Sequence, residues 1–310
     1  MASSLVVLQK SLIDLIDYKA GVECGQTALL YASTYVSQLN DHISGVSCLS
    51  NIEIEHKVDY LAGCLTLTLD MPMQDLEVLR ARPCNSGNFS NAQELSYIKE
   101  TTDSFPSYGR LNQTGQAIFY GAIAIKQDDT ALRVVLSEAG AKTLDSFNVL
   151  RSHQKLDSDL NLRMIGVWDH VRRNERPYYL NEENFEYYTK TKKYMESKFS
   201  SDLLKAYELT DRFFADILSR QGSKELYQVT SAISAVFLNG THSDGVLYSS
   251  VAAKGEPVVA IKPQAIDSKF EHQFVSEVKV EQCFGYEFYQ YKTLGLTSSI
   301  DPYSNRLMWE

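Results

Sequence analysis

The chain has 310 residues, 44% of them hydrophobic, enough to build one large domain with extensions or two small ones around a real core. A net charge of -9 argues against a broad cationic surface for a nucleic-acid backbone and leaves only a local cationic pocket. The five widely spaced cysteines, Cys24, Cys48, Cys64, Cys84 and Cys283, contain no C-x-x-C pair and read as reduced thiols of a cytosolic protein, with no metal site.

In chain order, Leu5, Leu8, Leu12 and Leu15 recur with Lys10, Asp14 and Asp17 between them. That is an amphipathic helix and not a signal peptide, which needs an uncharged apolar run. No stretch approaches the ~18 consecutive apolar residues of a membrane span, so a cytoplasmic protein is expected. A second helical face follows at Ala28, Tyr31, Ala32, Tyr35, Val36 and Leu39. The alternation of Leu65, Leu67 and Leu69 predicts a strand halted by Pro72, which makes 1–72 a helical N-terminal extension.

Ala117 to Ile125 is apolar at almost every position and predicts a strand buried on both faces. Asp128-Asp129-Thr130 then offers side-chain oxygens to cap a helix from Ala131 to Lys142. Within it, Glu138 lies at the margin of the stripe Leu132, Val135, Leu136 and Ala139, where a carboxylate can face a cleft. Strands are expected at Ser146–Leu150 and Leu160–Trp168, and helices at about Glu182–Phe199, Leu203–Arg220 and Tyr227–Phe237. Short buried strands follow at Gly245–Val251 and Pro257–Lys262. Val278, Val280, Phe284, Tyr286 and Phe288 predict a hairpin around Gly285, so 266–310 reads as a C-terminal β-hairpin extension that packs on or extends the main sheet.

Five groups of residues stand in a particular order: Arg80-Ala81-Arg82, Gly109-Arg110-Leu111-Asn112, Phe119-Tyr120-Gly121-Ala122, Glu138, and Gly245-Val246-Leu247-Tyr248-Ser249-Ser250. This order resembles the RES domain, a bacterial family often found as the toxin of toxin–antitoxin pairs. The resemblance covers about Leu76 to Pro263, so 73–265 is taken as the RES domain. Family members carry Pro between the last Tyr and the Ser, where this chain has Ser249. Ser250 is therefore equated with the family serine, with Ser249 as the alternative.

The resemblance implies an α+β fold, an ADP-ribosyltransferase-like mixed sheet core with flanking helices. It implies an enzyme that consumes NAD as substrate without a metal, as glycohydrolase, phosphorylase or ADP-ribosyltransferase, and an Xre-type helix-turn-helix antitoxin as partner. Cleaving the nicotinamide–ribose bond develops positive charge on the ribose carbon, and one carboxylate can stabilise it. Glu138 takes that catalytic role. Arg80 and Arg110 are the pyrophosphate candidates, because a guanidinium is a planar fork of donors, and Arg82 competes with Arg80. Tyr120 offers a ring to stack on nicotinamide, and Ser250 a hydrogen bond to ribose or amide. Gly109 and Asn112 shape the turn that carries Arg110.

Blander readings stand beside these: a solvated helix glutamate, an arginine paired with Glu77, a core tyrosine. At the level of function the competitors are a RES-like binding or regulatory module without turnover and an unrelated interaction protein. The apolar helical face near the N-terminus needs cover from its own domain, a second copy or an antitoxin, and a homo-oligomer is the commonest solution.

Overall fold

The computed structural model describes residues 2–67, 69–99, 109–113, 115–125, 128–238, 243–253 and 255–310, with side chains from residue 10 onward. In the described residues the helices are α1 (Ala2–Val22), α2 (Gly25–Ile43), α3 (Asn51–Cys64), α4 (Ala92–Leu95) and α5 (Thr130–Glu138), then α6 (Val167–Arg173), α7 (Glu182–Lys198), α8 (Ser201–Leu218), α9 (Lys224–Leu238) and α10 (Pro263–Lys269). The strands are β1 (Asp70–Met73), β2 (Glu77–Pro83), β3 (Phe119–Ile123), β4 (Ser146–Gln154), β5 (Leu160–Met164), β6 (Gly245–Ser249), β7 (Pro257–Ile261), β8 (Phe270–Gly285), β9 (Phe288–Ile300) and β10 (Leu307–Trp309). The chain is therefore a mixed α+β protein.

All ten strands join one mixed sheet in the order β1-β5-β6-β7-β3-β2-β4-β8-β9-β10. Only the β5–β6 pair is parallel. The chain divides into two compact units, and neither coincides with the three segments expected from sequence. One is helical and comprises Met1–Thr68, Ile165–Ile217 and Gly222–Val236; the other comprises Leu69–Met164, Leu218–Gln221 and Phe237–Glu310 and holds the sheet. The N-terminal helices are not a separate extension, because they share a unit with α6 to α8. The 266–310 hairpin extends the main sheet, one of the two arrangements expected for it: β8 pairs with β4 from Ser146↔Lys279 to Gln154↔Phe270.

In the helical unit α1 packs on α7 and α2 on α3. Leu12 and Ile16 face inward while Leu15 is exposed; Leu5 and Leu8 lie outside the described side chains. Ala28, Ala32, Val36 and Leu39 form the buried stripe of α2. Tyr31 and Tyr35 leave that stripe and gather with Tyr60, with ring centroids 5.3 to 5.6 Å apart. Tilted and edge-on aromatic packing of this kind lets the rings cover one another at a partly wet surface.

Three element boundaries differ from expectation for local reasons. The strand expected at Leu65–Leu69 begins at Asp70, because α3 continues to Cys64, and Pro72 lies inside it. Proline is tolerated there because β1 is the edge of the sheet, where a missing N–H costs no ladder bond. The strand expected to reach Trp168 ends at Met164; Gly166, at φ +89°, turns the chain into α6, which contains Trp168. The helix expected to run to Lys142 ends at Glu138, followed by Gly140 at φ +66°.

Candidate functional site

Strand registers decide which candidate residues share a face of the sheet. Leu79 pairs with Ala122, Arg80 with Leu150, Phe119 with Ile261, and Tyr120 with Ala260. Side chains alternate along a strand, so Arg80, Arg82 and Phe119 point to one face, and Tyr120, Ala122 and Tyr248 to the other. Helix α5 packs on β2 and β3 and lies on the Tyr120 face, held by two tyrosines of β9: Tyr289 shares a hydrogen bond with Ser137 (2.9 Å) and Tyr291 donates to Asp129 (3.3 Å). The C-terminal hairpin thus fixes the helix that ends in Glu138. It belongs to the frame of the site, contrary to the division expected from sequence.

Glu138 is exposed at the last position of α5. A carboxylate there faces the negative end of the helix dipole, an arrangement that costs roughly 0.3 to 1 kcal/mol. A compensating donor comes from residue 250: the Ser250 hydroxyl donates to Glu138 Oε1 at 2.5 Å and accepts from the Ala253 N–H at 2.8 Å. Ser250 is buried and its own N–H donates to Glu256 O (2.7 Å). The hydroxyl proton is spent on the carboxylate and a lone pair on the loop backbone, so Ser250 is a positioning group and not a nucleophile. Ser249 pairs with Pro257 inside β6, whereas the residue that meets Glu138 is Ser250.

Tyr120 acts as a clamp on the turn before it. Its hydroxyl accepts from Leu111 N (2.8 Å) and donates to Asn112 Oδ1 (2.8 Å), while Gly109 N donates to Asn112 O (3.2 Å). A Cβ on Gly109 would lie 2.1 Å from Asn112 Oδ1 and 3.1 Å from the Tyr120 hydroxyl oxygen. Glycine is therefore required by close approach, and Asn112 fixes the turn through its side chain as its residue type predicts. The Arg110 Nη1 that the turn presents donates to the carbonyls of Leu218 (2.9 Å) and Arg220 (2.7 Å). Both protons of that nitrogen hold the 218–221 segment, which leaves Nε and Nη2 for any ligand.

Arg80 does not join this group. It lies on the opposite face of the sheet, its guanidinium 5.5 Å from the Phe119 ring centroid and its Nη1 donating to Tyr120 O at 2.7 Å. Burial, with Arg82 beside it, pulls Arg80 down to about 9, which still leaves it charged at neutral pH. As a clamp on an NAD whose ribose meets Glu138, Arg80 is corrected by the register: β2 is an interior strand, so the sheet separates the two residues. A residue one position away in sequence faces the other way, and single-residue motifs carry no register.

Two other polar groupings escaped the sequence. Ser152 Oγ meets His272 Nδ1 at 2.7 Å, and Tyr97 donates to Asp267 at 2.6 Å, but Ser152 is fully buried within β4 and unsuited to attack a substrate. In the helical unit a cavity of about 180 Å³ is lined by Leu67, Trp168, Met195, Leu204 and Tyr207 beside the Arg172–Asp211 pair. Arg172 bridges Asp169 and Asp211 (2.8 and 2.7 Å), and burial, opposed by Arg172, pushes Asp211 up to about 6. No residue of the RES-like pattern lines this cavity. Its lining comes from segments distant in sequence, so spacing gives no signal for it.

Among the described residues no group of three or more His, Cys, Asp or Glu side chains is placed to hold a metal ion, and no helix is long and apolar enough to cross a membrane. Comparison with models of protein families, with curated proteins and with solved structures finds no match to this chain.

Proposed function

We propose that this protein is an NAD-consuming enzyme of the RES type, with an ADP-ribosyltransferase-like core, that cleaves the nicotinamide–ribose bond at Glu138. The observation that carries the reading is the 2.5 Å hydrogen bond between Ser250 and Glu138. These two residues stand 112 positions apart in the chain, and both were selected by motif order alone. Their contact supports the resemblance because nothing in secondary structure requires it. A carboxylate held at the unfavourable end of its helix is a local conflict of the kind that functional positions carry.

In this mechanism the Glu138 carboxylate stabilises positive charge as it develops on the ribose carbon, with Oε2 available to a ribose hydroxyl while Oε1 is held by Ser250. The Tyr120 ring offers a stacking surface on the same face of the sheet, and Arg110 contributes Nε and Nη2 to a phosphate. Water, phosphate or a protein side chain then accepts ADP-ribose. The same reading makes the protein a cytoplasmic toxin, homo-oligomeric and paired with an Xre-type antitoxin.

The test is nicotinamide release from NAD by the purified chain, compared with Glu138→Gln. Removing a positioned electrostatic group lowers turnover by about 100 to 1000-fold. Equal rates in the two proteins, with matching melting curves, would remove Glu138 from the chemistry. A second reading, a binding module without turnover, is favoured by the commitment of Arg110 Nη1 and the Tyr120 hydroxyl to the protein's own turn and segment 218–221. NAD binding with no release under any acceptor condition selects it.

A further inference from the structure

Two guanidinium groups of the sheet unit meet carboxylates: Arg163 forms a bidentate pair with Asp70 at 2.8 and 2.9 Å, and Arg151 meets Glu77 at 2.6 Å with its own Nε left without a partner among the described residues. Arg80 and Arg82, two residues apart on one face of β2, meet no carboxylate within ion-pair distance among the described residues. Arg80 Nε and Arg82 Nε and Nη2 are excluded from solvent and have no acceptor among the described residues. Glu94 acts on Arg82 only at a distance, and Arg82 disfavours the charge on Arg80.

The helix packed over this face repeats the pattern. Helix α4 lies against β2 and β4; its Gln93 side chain is engaged with Tyr97, while Ser96 Oγ, just beyond its last residue, is excluded from solvent without a partner among the described residues. The Asn148 side chain, opposite Arg82, is engaged elsewhere: it accepts from Phe89 N and donates to Asn88. Two adjacent half-buried cations with unspent donors cost the fold energy unless an anion joins them. A neutral acceptor satisfies an N–H but not the charge. Two guanidinium forks converging on one face match the tetrahedral, multiply charged acceptor set of a phosphate group.

We propose that Arg80 and Arg82, with Ser96, form a binding site for a phosphate group on the sheet face opposite Glu138. Its occupant is a free phosphate or the phosphate of a nucleotide, bound without chemistry. The site is independent of the cleavage reading, since the sheet separates it from Glu138.

Calorimetric titration of the full chain with inorganic phosphate, pyrophosphate and ADP-ribose, at constant ionic strength against a chloride control, tests the site. For phosphate and pyrophosphate saturable binding is expected, weakened tenfold or more in Arg82→Gln and unchanged in Glu138→Gln; ADP-ribose, which the proposed cleavage site also holds, is titrated in the Glu138→Gln background and read by its loss on adding Arg82→Gln. Competition between phosphate and ADP-ribose marks a nucleotide as the occupant; binding of phosphate or pyrophosphate without ADP-ribose marks the free anion. If Arg82→Gln does not melt cooperatively, Arg82→Met is read in the same way. No saturable heat from any of the three anions, or wild-type affinity in the arginine variant, overturns the site. Loss of cleavage in Glu138→Gln with phosphate binding intact leaves the site standing, so the two readings fail separately.

Discussion

On the α5 face of the sheet the polar groups named above are committed to one another: Ser250 to Glu138 and Ala253, Tyr120 to Leu111 and Asn112, Arg110 to Leu218 and Arg220. On the opposite face Arg80 and Arg82 hold donors that no group among the described residues accepts. The contrast separates two ways of using polar side chains. Committed groups fix a geometry, which is what a reaction needs from the residues around its carboxylate. Uncommitted buried donors cost the fold stability, and an anion that accepted from them would lower that cost. The same strand, β2, serves both faces, and its pleat keeps the two uses apart.

The largest effect that probes this contrast is on turnover. Glu138→Gln should lower nicotinamide release by about 100 to 1000-fold while stability stays within the range of an exposed substitution. Ser250→Ala should lower release by a smaller factor, about tenfold, because the carboxylate keeps its charge and loses its orientation. Single-turnover kinetics on both variants orders them. If Ser250→Ala matches Glu138→Gln in rate, the serine acts on substrate and not through the glutamate, and its role as a positioning residue is wrong.

Next in size is the clamp. Tyr120→Phe removes the acceptor of the buried Leu111 N–H and the donor to Asn112 Oδ1, and should cost about 2 to 3 kcal/mol in denaturant unfolding. Gly109→Ala should resemble it, since its Cβ meets the same two oxygens. A Tyr120→Phe protein of unchanged stability would mean that the hydroxyl serves a ligand rather than the turn.

The sequence made some of this legible. Periodicity located α5, β3, β6, β7 and the long C-terminal hairpin, because each has a run of apolar residues with a clear period and a turn signal beside it. Motif order also selected Glu138 and Ser250 before any contact between them was visible. It failed at Arg80 for a definite reason: whether a strand residue faces one side or the other is set by pairing across the sheet, here of Leu79 with Ala122 and Arg80 with Leu150. The chain does divide close to residue 72, between Thr68 and Leu69, but 1–72 is not a unit by itself, because a helix with one apolar stripe says that it packs, not on what. Its partners arrive more than a hundred residues later in the same chain.

The smallest effect is the most discriminating, because its sign is opposite to that of the other substitutions. Removing Arg82 deletes a cation whose Nε and Nη2 have no acceptor among the described residues and which disfavours the charge on its neighbour. A methionine of similar length fills the volume beside β4 without a charge to desolvate. In chloride buffer Arg82→Met should therefore stabilise the protein by about 1 to 2 kcal/mol, as replacement of buried charges by apolar groups commonly does. Phosphate should reverse the order, since it binds the folded wild type and not the variant, and adds RT ln(1 + [L]/Kd) to the wild type alone. The check is a pair of unfolding curves for each protein, with and without phosphate at equal ionic strength. Destabilisation of Arg82→Met in both buffers would show that the guanidinium already does structural work, and the two faces of the sheet would then be alike.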